Sequence, residues 1–309
     1  RHPHVAPGPT GIPTMTKQHP SHRNSIFLES AEILSHQAFA DRQYVLRLQA
    51  PECARAARPG NFAHLQCDLQ LPMRRPISIM RSGAEQGWVE FLYKAVGQGT
   101  ELLARQPVGA RISVLGPIGN PFQLHPERRR PLLIGGGVGM PPMVFLADDL
   151  RRRSDYEPWV ILGSEASFPF APRPSRIMVS GLPEGVIAGM PLLEDWGVPS
   201  RLTSLEARPG CYQGYVTGLA RPWLEQLDAE TLGEVELFAC GPHPMLEAVA
   251  ALARDFGLPC QVSLEEFMAC AVGGCAGCVV QVQTAKGPAM RRVCVDGPVF
   301  DAHQVFAAD

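Results

Sequence analysis

The sequence predicts a small antiparallel β-barrel, then a parallel α/β unit, then a short cysteine-rich module at the C-terminus. Three observations predict it. Short apolar runs broken by Gly and Pro turns fill residues 26–122. Beyond residue 130, strand-like runs alternate with helix-like ones, the mark of a parallel sheet. Four of the nine cysteines, Cys270, Cys275, Cys278 and Cys294, fall in the last stretch of chain.

Composition bounds the rest. At ~150 residues per domain, 309 residues make about two domains, with room for a third small one. Apolar residues are 45% and charged residues 19%, enough for a sizeable core and too apolar for wholesale disorder. Lys+Arg 28 against Asp+Glu 30 leaves a net charge of -2, which argues against a nucleic-acid partner. The apolar runs, such as Pro131–Ile134, fall far short of the ~20 residues of a membrane span. Gly 30 and Pro 30 foretell many turns and no helical bundle.

Residues 1–24 are rich in Pro, His, Thr and Ser and carry no apolar run, so they read as a disordered tail with no export signal. Met15 is a candidate natural start, with residues 1–14 upstream of it. Nine cysteines without an export signal fit a reducing cytoplasm.

In the first half, Gln43–Gln49, Phe62–Cys67, Pro76–Met80, Trp88–Val96 and Ala110–Leu115 read as strands, and with the run from Ile26 they make six. Such spacing suggests a barrel over residues 25–125. In the second half, Pro131–Ile134, Trp159–Leu162, Arg176–Val179, Val198–Thr203 and Val235–Ala239 read as five strands, within a unit spanning 126–258. Helices are expected over Pro141–Arg153 and Pro244–Phe256. The second should bury Met245, Ala248, Val249 and Leu252 and stop at Gly257. Residues 259–309 are too few and too rich in Gly and Cys to build a core alone, so they must be stapled or docked.

The four clustered cysteines are spaced C-x4-C-x2-C-x15-C, and the first three match the plant-type [2Fe–2S] pattern. Gly273, Gly274 and Gly277 let the backbone curl until its N–H groups reach sulfur. Cys294 is expected on a strand, Arg292–Val295. A structural zinc site, or free thiols, stays open at this point.

Two glycine-rich turns follow predicted strands. Gly135–Pro142 (GGGVGMPP) precedes a helix, and Gly137 and Gly139 leave the backbone open to a pyrophosphate. Pro142 stands where the dinucleotide fingerprint has its last glycine, so a merely structural turn is the alternative. Cys240-Gly241-Pro242 crosses the C-terminal edge of the sheet, where ligands of such folds bind. Cys240 is either a core thiol or a pocket wall, and His243 reads as exposed. In the barrel half, Arg75-Pro76-Ile77-Ser78 offers a guanidinium and a hydroxyl to a phosphate. Tyr93-Lys94 and Gly97–Thr100 follow, with Gly99 and Thr100 opening a short helix.

These motifs, with Gly116-Pro117 and Glu265-x-x-Met268-x-Cys270, occur in the order of the ferredoxin-reductase superfamily. From about Ile26 to Cys294 the chain resembles the iron–sulfur flavoprotein electron-transfer subunits of NAD-linked heterotetrameric dihydroorotate dehydrogenases. The resemblance implies FAD on the barrel against Arg75, Pro76, Ile77, Ser78, Leu92, Tyr93, Lys94, Gly99 and Thr100. It implies a [2Fe–2S] cluster on Cys270, Cys275, Cys278 and Cys294. Nicotinamide, NAD(H), would lie near Gly137, Gly139, Cys240, Gly241 and Pro242. It further implies an FMN-containing catalytic subunit as partner in pyrimidine biosynthesis. Hydride exchange between two cofactors needs no protein acid or base, so no catalytic side chain is assigned.

Three departures stand out. Ile77 replaces an aromatic residue common in ferredoxin reductases. Ala271 follows Cys270 where the family often has glycine. Ser204–Cys211 replaces an acidic, glycine-rich stretch, and of its acids only Glu206 remains. Two rivals remain: the reductase component or small subunit of another NAD(P)H-linked iron–sulfur flavoenzyme, and a redox sensor or degenerate binding module.

Overall fold

A computed structural model describes residues 25–307. The expected tail, residues 1–24, lies outside the described residues. The first half is a closed barrel of six antiparallel strands in the order β1-β2-β5-β4-β3-β6. These are β1 (Phe27–Phe39), β2 (Gln43–Gln49), β3 (Phe62–Gln66), β4 (Arg75–Gly83), β5 (Trp88–Lys94) and β6 (Arg111–Ile118). Helix α1 (Pro51–Ala56) follows β2, and α2 (Gln98–Ala104) follows β5. Alternation fills the barrel from inside: Leu46, Leu48, Leu65, Ile79 and Phe91 are wholly buried. Each such side chain contributes about 1.5–3 kcal/mol of transfer free energy.

The second half is a seven-stranded sheet in the order β12-β11-β8-β7-β13-β14-β17. Its members are β7 (Arg130–Gly136), β8 (Trp159–Gly163), β11 (Ser200–Ser204), β12 (Tyr212–Gln213), β13 (Val235–Cys240), β14 (Cys260–Ser263) and β17 (Val299–Asp301). All neighbouring pairs are parallel except β14 with β17. The helices are α3 (Met140–Leu150), α4 (Pro191–Asp195), α5 (Val216–Glu225), α6 (Ala229–Gly233), α7 (His243–Asp255) and α8 (Ala302–Val305). Two small antiparallel ribbons complete the chain. One joins β9 (Arg173–Pro174) to β10 (Ala188–Gly189), the other β15 (Val279–Thr284) to β16 (Gly287–Arg292). The C-terminal module is docked, as its size required. β17 extends the sheet, and Met268, Ala271, Cys278, Val293 and Cys294 share a core with Phe62 and Ile118 of the barrel.

Three local expectations need correction. Residues 176–179 form no strand. Pro172, Pro174 and Pro183 remove ladder donors around them, and the Ile177 carbonyl accepts from Arg201 Nη2 at 2.8 Å instead. The buried face of α7 is Leu246, Val249, Ala250, Leu252 and Ala253; Ala248 is exposed and Met245 half-buried, because a helix with this many alanines marks its own face weakly. Cys294 lies in a turn just past β16. There the N–H groups of Val295 and Asp296 both donate to the Arg292 carbonyl, at 3.2 and 2.8 Å.

Candidate functional site

Strand alternation sorts the flavin motif. Ile77 and Tyr93 point into the barrel core, so Pro76, Ser78 and Lys94 take the outer face. Leu92 and Met80 join the core shared with the α/β half. Tyr93 is committed within the barrel: its hydroxyl meets His36 Nε2 at 2.8 Å and its ring stacks on Tyr44 at 5.3 Å. Burial holds its phenol above the usual range. Only its main chain is left for a ligand. Arg74 braces the barrel, donating to the carbonyls of His64 and Ser113 at 3.1 and 3.0 Å.

Arg75 is placed differently. Its guanidinium lies against Gly99, where an added Cβ would sit 2.7 Å from Nε. Thr100 Oγ1 accepts from the N–H groups of Val96 and Gly97 at 3.1 and 3.3 Å and so shapes the loop. A guanidinium beside a side-chain-free loop is a cradle for a phosphate. These residues fit the pyrophosphate of a dinucleotide such as FAD.

The two glycine turns meet at the sheet's switch point. β7 lies between β8 on one side and β13 on the other, so successive strands are added in opposite directions from here. Gly135 pairs with Cys240 across it. Gly139 packs directly on the second turn: a Cβ there would come 2.3 Å from the Cys240 carbonyl oxygen and 2.5 Å from Gly241 N. Gly137 faces open space at φ 54°. Cys240 is fully buried, and burial, then the Glu265 charge, pushes its thiol up. Glu265 is reached by water yet ringed by protein, and that enclosure raises its carboxyl above the usual range. Pro242 and His243 are exposed.

The barrel reaches the nucleotide half through Ser167, just past β8. Asp41 Oδ2 accepts from Ser167 N at 2.6 Å, and Gln43 Nε2 donates to Ser167 O at 2.7 Å. The Ser167 N–H holds the Asp41 carboxyl below its usual range.

The cysteine loop is built on left-handed backbone. Ala271, Gly273 and Ala276 have φ of 56°, 80° and 53°. Ala271 thus adopts the conformation that glycine serves best, at a cost of about 1–2 kcal/mol. Cys270 Sγ accepts from Cys275 N at 3.4 Å, and Cys275 Sγ from Gly277 N at 3.4 Å. Burial raises the Cys270 thiol, but the N–H groups of Val272, Cys275 and Gly274 outweigh it and bring it down to about 7. Cys278 and Cys294 are buried side by side. Burial first, then hydrogen bonding to Cys278, pushes Cys294 up to about 12. Arg292 Nη1 donates to the Gly273 carbonyl at 3.0 Å, while Asp296 Oδ2 accepts from Arg292 N at 2.8 Å.

The thiols therefore fall into two pairs, Cys270 with Cys275 and Cys278 with Cys294. Two pairs, with backbone N–H groups aimed at sulfur, fit a two-iron cluster. Sequence reasoning missed Arg292 and Asp296, whose charges alone look like any exposed pair. It quoted Glu265 only as part of a motif.

A β-barrel carrying a phosphate cradle, an α/β sheet with a glycine-lined switch point and a four-cysteine module together define a ferredoxin-reductase-like iron–sulfur protein. Residues 265–306 match the iron-sulfur cluster binding domain of dihydroorotate dehydrogenase B. The chain is 34% identical over 281 residues to the dihydroorotate dehydrogenase B (NAD(+)) electron transfer subunit of Geobacillus thermodenitrificans, covering 90% of this chain and 98% of that one. The subunit of the same description from Caldanaerobacter subterraneus subsp. tengcongensis is 31% identical, over 89% and 97% of the two chains. The chain belongs to this family of electron transfer subunits. Among solved structures, one described as an NADH-dependent reduced ferredoxin-NADP oxidoreductase superposes with TM-score 0.70 at 25% identity, over 90% of each chain. A ferredoxin reductase of carbazole 1,9a-dioxygenase shares the fold at TM-score 0.59 and 23% identity, over 76% of this chain and 67% of that one.

Proposed function

We propose that the chain passes electrons between NAD(H) and an FMN-containing dihydroorotate dehydrogenase catalytic subunit, by way of FAD and a [2Fe–2S] cluster. The observation that carries this reading is the pairing of the four thiols in a module fused to a nucleotide-binding fold. Bound FAD supplies hydride exchange with nicotinamide and single-electron exchange with the cluster. Residues 25–125 hold FAD, with Arg75, Gly99 and Thr100 at its phosphates. Pro76, Ile77, Ser78, Leu92, Tyr93 and Lys94 lie along it, Ile77 and Tyr93 through main chain alone. Residues 126–258 hold NAD(H) between Gly137–Gly139 and Cys240–Pro242. Residues 259–309 hold the cluster on Cys270, Cys275, Cys278 and Cys294. Arg292 steadies the loop, and the buried pair Cys278 and Cys294 keeps water from half of the ligand set.

The exposed apolar side chains Phe267, Val272, Val279 and Met290 all belong to the cluster module. They offer the partner subunit a docking face beside the electron exit. The assembly would be a cytoplasmic heterotetramer. The reading is tested by mixing. The chain alone should reduce artificial dyes with NADH yet leave dihydroorotate untouched, and the FMN-bearing subunit should restore its oxidation. A Val272→Trp variant should lower the coupled rate by about ten-fold or more and spare dye reduction. Turnover of dihydroorotate by the chain alone would refute the division of labour.

A second reading, the small subunit of a ferredoxin-linked NAD(P)H complex, draws on the similarity to the NADH-dependent ferredoxin-NADP oxidoreductase. Co-purification from the native cell separates the two.

Nucleotide choice is a further expectation. Exposed Glu165 stands just past β8, where a ribose hydroxyl is met, and the guanidinium of Arg173 is taken by Asp195. NADH should exceed NADPH in kcat/KM by about ten-fold or more. Equal values would contradict the placement of Glu165.

A further inference from the structure

His64 is a polar side chain that neither the flavin cradle nor the cluster loop uses. On β3 its neighbours Ala63 and Leu65 point into the barrel, so its ring takes the outer face, in register with Pro76 of the flavin motif. It is wholly buried, and neither ring nitrogen has a hydrogen-bond partner among the described residues. Leaving a buried polar group unpaired costs about 1–3 kcal/mol, and native folds keep few of them. Two elements close around the ring. Arg74, next to Arg75, donates to the His64 carbonyl at 3.1 Å. Two main-chain carbonyls lie beside the ring, that of Met268 in the cluster module, two residues before Cys270, and that of Arg74 on the barrel. Met268 and Ala271 pack in the same core as Phe62, two residues before His64.

We propose that His64 is a positioning residue for electron transfer between flavin and cluster, tying the Met268–Cys270 segment to the strands of the flavin motif. The proposal rests on the reading of the chain as a carrier of FAD and a [2Fe–2S] cluster. A neutral imidazole offers one N–H and one lone pair. The N–H has the carbonyls of Met268 and Arg74 beside it, and donation to Met268 is the one that ties the cluster module to the barrel. Electron transfer falls off exponentially with separation, so a tie between the two modules acts on that step. Hydride exchange uses Gly137–Gly139 and Cys240–Pro242 and is independent of it.

The test compares the parent chain with H64L and H64Q, purified anaerobically with their cofactors. Iron and FAD content are measured first, then the two steps in a single-turnover reaction with NADH, then the low-temperature EPR spectrum of the reduced cluster. H64L should keep both cofactors and reduce its flavin at the parent rate. Its flavin-to-cluster step should slow by several-fold, as that exponential dependence on separation produces. Its EPR g-values should shift. H64Q, which keeps a donor, should recover most of the rate and the parent spectrum. If H64L does not fold, H64Q decides. A parent-like spectrum and rate support the tie, and a flavin-to-cluster step as slow as its loss predicts, with the cluster intact, overturns it. H64L with both steps and the spectrum unchanged also overturns it, as does equal slowing of both steps. A parent chain without FAD and iron defeats the underlying reading instead.

Discussion

Replacing Gly139 with alanine is expected to destabilise the chain by about 3 kcal/mol and to abolish NADH-dependent dye reduction. The added Cβ would lie 2.3 Å from the Cys240 carbonyl oxygen, 2.4 Å from its carbon and 2.5 Å from Gly241 N. All three are main-chain atoms that cannot rotate aside, so the two turns must separate and the crevice proposed for nicotinamide must change shape. Gly137 is the control. A Cβ there meets nothing within 4 Å, and only the φ of 54° opposes it, so Gly137→Ala should cost about 1 kcal/mol. Chemical denaturation and the KM for NADH measure both. Parent-like values for Gly139→Ala would mean that the turns do not form the site.

Cys275→Ser is expected to remove iron and labile sulfide, to leave FAD in place and to cut electron delivery to the partner by about two orders of magnitude. NADH-dependent dye reduction should persist, because Arg75 and Gly99, proposed to hold FAD, lie in the barrel half. Cys275 is the exposed member of the quartet, so its replacement leaves the core intact. Cys260→Ser, at a buried thiol outside the quartet, should keep its iron. Iron analysis and the visible spectrum read the difference. Full iron content in Cys275→Ser would exclude it as a ligand.

His64 also gives the chain a pH signature. Burial, then the nearby Arg74 charge, lowers its pKa from the usual 6.5 to about 4. The folded ring therefore stays neutral where the unfolded ring takes up a proton. Its contribution to stability is complete above pH 6.5 and is lost as the pH falls toward 4, on the order of 3 kcal/mol in all. Denaturation of the parent chain between pH 4 and 7 should show a steeper loss than H64Q. Matching slopes would contradict a neutral buried ring.

Much of this was legible in the sequence because the signals were local. Period-two runs gave the barrel strands, GGGVGMPP marked the turn after β7, and the cysteine spacing set out the cluster loop. What stayed hidden depended on partners distant in sequence. The Arg176–Val179 run looks apolar enough for a strand, yet the prolines around it leave nothing to pair with, and Arg201 takes the Ile177 carbonyl. Tyr93 and Ile77 sit in a ligand motif, but only the barrel's closure shows that their side chains face inward. Nothing in the spacing of Arg292 and Asp296 reveals that they brace Gly273. His64 is one histidine among nine until the C-terminal module closes over it.

The central claim is that one chain takes electrons from nicotinamide and stores them on a flavin and a cluster. Anaerobic NADH titration of the purified chain, with FAD, iron and sulfide quantified and EPR recorded at each addition, tests it most directly. The result expected is one FAD with two irons and two sulfides per chain, bleaching of the flavin, and a reduced [2Fe–2S] signal rising with it. Zinc in place of iron, or a flavin that NADH bleaches while an intact cluster stays silent, would contradict it.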